Sequence, residues 1–173
     1  MNQTYATFGA QVVAYLPRLR RFACTLTRHP QDADDLVQVA MERALVRRDQ
    51  WRPDSSLLSW MFGIVRNAWI DEVRWRRRRE EIFAAEEAMV RTGNESSESD
   101  IDRWSIYAAL DRLPNEELEA VALVLIEGLT YREAAKVMNV PLVTLTRRLA
   151  GGRTALQSML SESETLPPPS GSC

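Results

Sequence analysis

Apolar residues in the first half of the chain recur at steps of three and four, the period of an amphipathic α-helix. One such stripe covers residues 5–28, and Pro17 interrupts it, so we expect a kinked helix or two short helices there. A second stripe covers residues 31–47, where aspartates in the first turn favour the helix dipole. A third follows the loop and capping signal at residues 53–56 and runs into a block of arginines. This pattern predicts a small helical bundle.

The second half keeps the helical period but divides it with turn-forming residues. A first helix is expected to stop before Pro114. Asn115 is expected to cap the next helix, over residues 116–127, and Gly128 to end it.

The residues that follow have the pattern of a helix-turn-helix. Thr130 and Glu133 have the spacing of a capping box at the start of a short helix. Residues 139–141 form the predicted turn, and a last helix is predicted over residues 142–160. A short helix, a three-residue turn and a second amphipathic helix are typical of DNA-binding domains, although a plain helical hairpin is the alternative.

Two segments lack a helical period. In the acidic linker over residues 80–104, residues 80–90 could form a short helix and the polar residues 92–100 predict flexibility, and residues 161–173 predict a disordered tail. Strand-like alternation is absent from the sequence. The predicted fold class is therefore all-α, with two small helical domains (residues 5–79 and 105–160) joined by a flexible acidic linker.

The net charge of −2 conceals a strong segregation. Residues 1–79 carry 14 arginines and 8 acidic residues, a balance of +6, whereas the linker carries 2 arginines and 8 acidic residues, a balance of −6. Lys136 is the only lysine, so arginine supplies nearly all the positive charge, and its planar guanidinium suits phosphates and base edges. The balance points to a polyanion as the partner of the first domain.

Residues needed for metal or catalytic sites are scarce. The chain has one histidine, His29, and two cysteines without a Cys-x-x-Cys pair, so no metal site and no cofactor are expected. A catalytic Ser-His-Asp set and a glycine-rich phosphate loop are also missing, so we do not expect an enzyme. Because the sequence has no signal peptide pattern and no run of about 20 apolar residues, we expect a cytoplasmic protein without membrane insertion.

Three blocks of sequence together resemble a known family. They are Asp-Ala-Asp-Asp-Leu-Val-Gln at residues 32–38, Phe-Gly-Ile-Val-Arg-Asn-Ala-Trp-Ile-Asp-Glu-Val-Arg at residues 62–74, and Glu-Gly-Leu-Thr-Tyr-Arg-Glu-Ala-Ala at residues 127–135. In order and spacing they resemble the extracytoplasmic-function (ECF) sigma factors, group IV of the sigma-70 family, across about residues 7–160. The resemblance implies that the first domain is sigma region 2 and the second is sigma region 4.

The resemblance also implies a function in promoter-specific transcription initiation. Region 2 would bind the clamp helices of core RNA polymerase and the melted −10 strand, and region 4 would bind the polymerase flap and the −35 duplex. An anti-sigma factor would hold the protein inactive until a stress signal arrives. The residues implied for polymerase binding are Asp35, Gln38 and Glu42.

The same resemblance assigns candidate DNA-binding residues. Those implied for the −10 element are Asp54, Ser55, Ser56, Arg66, Asn67, Arg74, Arg76 and Arg77. Those implied for the −35 element are Arg132, Thr144, Thr146, Arg147, Arg148 and Arg153. Trp51 and Trp60 could stack on a flipped base or could be core residues.

The sequence departs from the family pattern at several positions. Thr146 and Arg147 replace residues at base-facing positions, so the −35 sequence cannot be transferred from relatives. Gly151 and Gly152 each cost about 1 kcal/mol relative to alanine inside a helix, so we expect the last helix to break or bend there.

Two other functions compete with this interpretation. A sigma mimic would titrate an anti-sigma factor without binding DNA, and the altered last helix is its main support. A stand-alone helix-turn-helix regulator would explain the second domain but not the first.

Overall fold

The structure, a computed structural model, describes residues 2–52, 54–84, 109–110 and 112–164 of the 173-residue chain. These residues are mostly helical and contain no β-strand, which confirms the predicted all-α class. The helices in chain order are α1 (Asn2–Thr27), α2 (Pro30–Val46), α3 (Leu57–Ala84), α4 (Asn115–Val121), α5 (Tyr131–Met138) and α6 (Leu142–Glu164). A 3-10 turn, Arg48–Gln50, follows α2, and a π-helical turn, Ala122–Ile126, continues α4.

Helices α1, α2 and α3 pack together because each carries an apolar face. The buried face of α2 includes Ala33, Ala40 and Ala44, whose small side chains let the neighbouring helices approach closely. Phe22 of α1 meets Phe62 of α3 edge to face, with ring centroids 5.1 Å apart. Burial of one such side chain contributes about 1.5–3 kcal/mol, so these faces account for the assembly of the first domain. The predicted stripe of α3 is confirmed, since all of its members are buried: Leu57, Met61, Ile64, Val65 and Ala68.

Helix α1 continues past Pro17 as one element, so of the two predicted alternatives, a kinked helix or two short helices, the second is wrong. Pro17 lies on the exposed side of the helix. The carbonyl of Val13, which loses its amide partner, is in an exposed residue, so water can bind it in place of the missing N–H. Arg28, whose left-handed backbone has a φ of 57°, then turns the chain towards α2.

Helix α3 extends beyond its predicted end. It continues to Ala84, so residues 80–84, which could have formed a separate short helix, are instead the end of α3. The sequence contains no proline or glycine between Gly63 and Gly93, so no breaker ends the helix at residue 80. The rest of the predicted linker, residues 85–104, lies outside the described residues.

Helix α4 begins differently from the prediction. Its N-cap is Pro114, and no side chain makes a capping hydrogen bond there, so the prediction that Asn115 is the cap is wrong. Asn115 is the first helical residue, and its Oδ1 accepts a hydrogen bond of 3.3 Å from Arg28 of the first domain. The polar side chain therefore joins the two domains rather than capping the start of the helix.

A wide turn follows α4. The backbone N–H of Glu127 donates to the Ala122 carbonyl at 2.8 Å, five residues back, which is the π-helical pattern. Gly128 then ends the segment in the left-handed conformation, with a φ of 70°, as predicted.

The helix-turn-helix is formed by α5, a tight turn and α6. Thr130 Oγ1 accepts a hydrogen bond from the backbone N–H of Glu133 at 3.3 Å, and Glu133 Oε2 accepts one from the backbone N–H of Thr130 at 2.9 Å. This confirms the capping box. Asn139 adopts a left-handed conformation at the turn, and Leu145 is fully buried between the helices.

Helix α6 does not break at Gly151 and Gly152, contrary to expectation. A Cβ atom on Gly152 would lie 2.7 Å from Val121 Cγ2, and one on Gly151 would lie 2.6 Å from a carboxylate oxygen of Glu117. The two glycines thus allow α4 and α6 to pack closely. The helix also includes residues 161–164 of the predicted disordered tail, and the remainder of that tail lies outside the described residues.

Candidate polymerase and nucleic-acid interfaces

The outer face of α2 is accessible along its length. Asp35, Gln38 and Glu42 are all exposed and lie on one face of the helix, at steps of three and four residues. Gln38 Nε2 donates a hydrogen bond to Glu42 Oε1 at 3.3 Å. Val39 and Val46, 40% and 82% exposed, add apolar surface to the same face. Exposed apolar residues among charged ones are typical of a protein-binding surface.

The two other aspartates of α2 have partners within the chain. Arg20 binds both carboxylate oxygens of Asp34, at 2.5 and 3.1 Å, and this hydrogen bonding lowers the pKa of Asp34. Arg76 donates to Asp32 at 3.3 Å. The aspartates therefore have separate roles, and Asp35 is the one that belongs to the exposed face.

A cleft of about 480 Å³ opens beside the N-terminal half of α3. Asp54, Ser55, Ser56 and Asn67, four of the predicted −10 residues, all line it. Clefts of roughly 300–1,000 Å³ hold small ligands, and the carboxylate, hydroxyl and amide groups here can hydrogen-bond to the edge of a base. The structure thus brings together residues that lie as much as 13 positions apart in sequence.

The loop beside the cleft is held by its own hydrogen bonds. Ser55 Oγ donates to the Arg52 carbonyl at 2.7 Å, and Ser56 Oγ accepts from the Ser59 backbone N–H at 3.2 Å at the start of α3. The hydroxyl groups therefore fix the loop, while Asp54 and Asn67 present exposed polar side chains.

The two tryptophans near the cleft pack on the core. Their rings lie 5.9 Å (Trp51) and 6.3 Å (Trp60) from the ring of Phe8, measured between centroids. Trp51 Nε1 also donates to the Ser55 carbonyl at 3.3 Å. This arrangement favours core packing over base stacking for both residues, although Trp60 also lines the cleft.

The opposite wall of the cleft belongs to the second domain. It consists of Glu133, Lys136 and Val137 of α5, and Ser59 Oγ donates to Glu133 Oε1 at 3.2 Å across the cleft. Hydrogen bonds from the Thr130 side chain and backbone lower the pKa of Glu133. This wall could not be predicted from the sequence, because it reaches the first domain only through the packing of the two domains. Arg47, Gln50 and Ser59 of the first domain also line the cleft and were not predicted.

The predicted −10 arginines have different surroundings. Arg66 Nε binds Glu119 of α4 at 2.8 Å, and the Arg66 side chain is only 14% exposed. Arg76 binds Glu72 at 2.7 Å as well as Asp32. Arg74 and Arg77 are exposed on the C-terminal part of α3. Their contacts with DNA remain predictions.

The exposed face of α6 carries part of the predicted −35 set. Thr146, Arg147 and Arg153 are exposed, as is Arg132 on α5, whereas Thr144 is half-buried. Val143, 79% exposed on the same side as Thr146 and Arg147, was missed as a candidate because apolar residues in a helix are usually buried.

Arg148 lies away from this face. Its Nη2 binds Glu116 of α4 at 2.5 Å, and its side chain is 16% exposed. Its Nε is buried and has no hydrogen-bond partner among the described residues. In this conformation Arg148 positions α6 against α4, and a direct contact with DNA remains a prediction.

Both the sequence and the structure of this chain are similar to those of known proteins. Models of sigma-70 region 2 and sigma-70 region 4 match residues 12–79 and 103–156. The chain is 34% identical over 149 residues to the ECF RNA polymerase sigma factor EcfG of Rhodopseudomonas palustris (strain TIE-1), which covers 86% of this chain and 82% of that protein.

Two solved complexes from Bartonella quintana contain similar chains. The sigma factor RpoE in complex with the anti-sigma factor NepR has a TM-score of 0.76 and 27% identity, over 90% of this chain and 97% of that one. The complex of the anti-anti-sigma factor PhyR with NepR has a TM-score of 0.56 and 16% identity, over 88% of this chain and 50% of that one, and shows the fold alone. None of the described helices is long and apolar enough to cross a membrane. Two sigma regions in order, with this identity over most of both sequences, show that the chain belongs to the ECF sigma factors of RNA polymerase.

Proposed function

We propose that this sigma factor captures a flipped base of the melted −10 strand in the cleft beside α3 and recognises the −35 duplex with the exposed face of α6. The observation that carries the proposal is the convergence of Asp54, Ser55, Ser56 and Asn67 on one cleft. A base leaves the stack only if a pocket and hydrogen bonds compensate for the lost stacking, and these residues supply both.

Recognition of the −35 element is assigned to Thr146 and Arg147. Arginine can donate two hydrogen bonds to guanine in the major groove, and a threonine side chain can contact several bases. Val143 can contact a thymine methyl group on the same face. Arg132 and Arg153 are assigned to backbone phosphates, which orient the domain without specifying sequence.

Attachment to core polymerase is assigned to Asp35, Gln38 and Glu42 on the clamp side, with region 4 on the flap. Bond formation is left to the polymerase, so this chain needs neither a catalytic residue nor a cofactor of its own. A cytoplasmic location follows from that partnership.

An anti-sigma factor is the proposed regulator. The similarity to RpoE, which was solved bound to NepR, supports a partner of that kind. A sigma mimic is the second candidate, since a chain in a PhyR complex shares the fold. The 34% identity to a sigma factor favours the first function.

Run-off transcription with core polymerase and a promoter library tests the proposal. Wild-type protein is expected to give sequence-selective transcripts that are lost with Asn67→Ala and with Arg147→Ala. Gln157→Ala, an exposed substitution on α6 away from Arg147, is the matched control and should leave the transcripts unchanged. If wild-type protein yields no transcripts and does not co-elute with polymerase, the sigma function is wrong and the mimic is favoured.

A further inference from the structure

Two carboxylates, Glu119 and Glu127, are the buried charged residues in the part of the chain that the structure describes. Both belong to the second domain, and arginines of the first domain bind both. Arg18 Nε donates to Glu127 Oε2 at 2.9 Å, and Arg21 Nε donates to Glu127 Oε1 at 2.7 Å. The Glu127 side chain is 1% exposed. Its charge is therefore compensated across the domain interface.

The second carboxylate has the same kind of partner. Arg66 Nε binds Glu119 Oε2 at 2.8 Å, with the two side chains 14% and 11% exposed. Arg66 directly precedes Asn67, a lining residue of the cleft. The ion pair thus engages an arginine that adjoins in sequence a residue of the proposed base-binding site.

The three arginines lie on two helices of the first domain, α1 and α3, that pack against each other. Arg18 and Arg21 lie one helical turn apart on α1 and converge on one carboxylate. The Arg18 guanidinium lies 6.0 Å from the Phe62 ring centroid, and Phe62 lies one turn before Arg66 on α3. The three arginines are thus divided between α3, which lines the cleft, and the neighbouring helix α1. Guanidinium groups that hold a carboxylate through paired N–H donors can hold a phosphate in the same way.

We propose that Arg18, Arg21 and Arg66 bind backbone phosphates of the melted promoter strand as it leaves the cleft, and that Glu119 and Glu127 occupy these positions when the domains are closed. The inference rests on the proposed function, because it requires single-stranded DNA in the cleft. It adds Arg18 and Arg21 to the DNA-binding residues and makes the domain contact a competitor of DNA.

Replacement of the carboxylates by phosphates leaves no charged group buried without a partner. When the domains separate, the carboxylates return to water, so no unpaired charge stays buried. The arginines then exchange one anionic partner for another. Phosphate binding also releases counterions from the DNA, which favours the open form at low salt.

The test uses holoenzyme reconstituted with full-length protein and a promoter from the transcription library, pre-melted by mismatches across the −10 element. Binding is measured by fluorescence anisotropy over a series of salt concentrations. The double variant Glu119→Gln, Glu127→Gln removes the competing charges, and without core polymerase, when the two domains can close, it should bind the melted strand several-fold more tightly than wild type does. Arg18→Gln, Arg21→Gln in that same background leaves no carboxylate unpaired at the interface.

The variant that adds Arg18→Gln and Arg21→Gln, called the arginine variant, gives the decisive measurement when its binding is compared with that of its parent. We expect affinity to fall roughly tenfold and the slope of log K against log salt to become shallower by about 0.7 for each single-strand phosphate that the variant no longer binds. Arg20→Gln is the matched control, because Arg20 is on the same helix but binds Asp34, and it should leave affinity and slope unchanged. Circular dichroism checks that each variant is folded.

Two results would overturn the inference, and they differ. If the arginine variant binds as tightly as its parent with the same salt slope, the arginines only hold the domains together, and the proposed function survives. If wild-type holoenzyme does not select the promoter at all, the proposed function fails and the inference fails with it.

Discussion

One of the two proposed DNA-binding surfaces is formed by a single domain, whereas the other is formed by both domains together. The face of α6 is convex and exposed, and all its residues come from the second domain. The cleft beside α3 is concave, and its far wall is supplied by α5 of the other domain. A duplex needs a projecting helix that enters a groove, whereas a single base needs an enclosing pocket. In the closed conformation the first surface is therefore open to its ligand, while the second is partly occupied by protein.

The largest effect is expected on the stability of the fold, at Gly152, where α6 packs closely against α4. Gly152→Ala would place a Cβ atom 2.7 Å from Cγ2 of the buried Val121, so it should destabilise the folded chain by up to about 3 kcal/mol. Gly151→Ala meets only the movable carboxylate of Glu117 and should be neutral or stabilise by up to about 1 kcal/mol. Urea unfolding of both variants measures the difference. Equal stabilities would show that α4 and α6 do not pack this closely.

The next effect separates two adjacent arginines of α6. Arg147→Ala should weaken binding to the selected −35 duplex by about 2 kcal/mol, because Arg147 is on the exposed face. Arg148→Ala should chiefly lower the unfolding free energy, because Arg148 binds Glu116. Competition binding against base-substituted duplexes, with melting curves, distinguishes the roles. A loss of base preference with Arg148→Ala alone would reverse the assignment.

A smaller effect is expected at the shared wall of the cleft. Ser59→Ala removes the hydrogen bond to Glu133 and should weaken the domain contact by about 1 kcal/mol. A fluorescent pair, one dye on each domain, should then report a larger mean distance. Ser161→Ala, which removes a hydroxyl hydrogen bond within α6, is the control. No change in distance with Ser59→Ala would mean that the cleft wall does not depend on this bond.

The smallest effect concerns pH. Hydrogen bonds from Thr130 hold the folded-state pKa of Glu133 below its usual value of 4.5, so its charge stabilises the fold above that pH. This contribution is lost as the pH falls from 4.5 through the folded-state pKa. Glu133→Gln keeps a capping side chain without the charge, so the loss of stability between about pH 6 and pH 3 should be shallower. Denaturant titrations at several pH values measure it, and an unchanged slope would contradict the prediction.

The features that depend on nearby residues alone could be predicted from the sequence. The capping box at Thr130 and Glu133 and the apolar stripe of α3 depend only on neighbours within a few residues, and the structure has both. Gly151 and Gly152 were misjudged because propensity describes an isolated helix, whereas the space they leave is used by α4.

The candidate site could be predicted only in part, because some of its contacts depend on how the two domains pack. Asp54 and Asn67 could be placed on one cleft because a family pattern joins them. The pairing of Arg66 with Glu119, 53 positions away, could not be predicted from spacing, because it depends on how the two domains meet. The charge of a side chain indicates which kinds of group it can bind, but the sequence does not show which group the fold places next to it.

The π-helical turn at Ala122–Ile126 lets the second domain hold one residue more than a regular α-helix would in the same space. A π turn contains one residue more than an α-turn in the same helix, and each residue of an α-helix advances by about 100°. Loss of a single residue here would let the segment relax into a regular α-helix, and Glu127 would keep its side of the helix and so its approach to Arg18 and Arg21. Relatives with a regular helix at this point should accordingly be one residue shorter, and their alignment with this chain should need a gap just before Glu127.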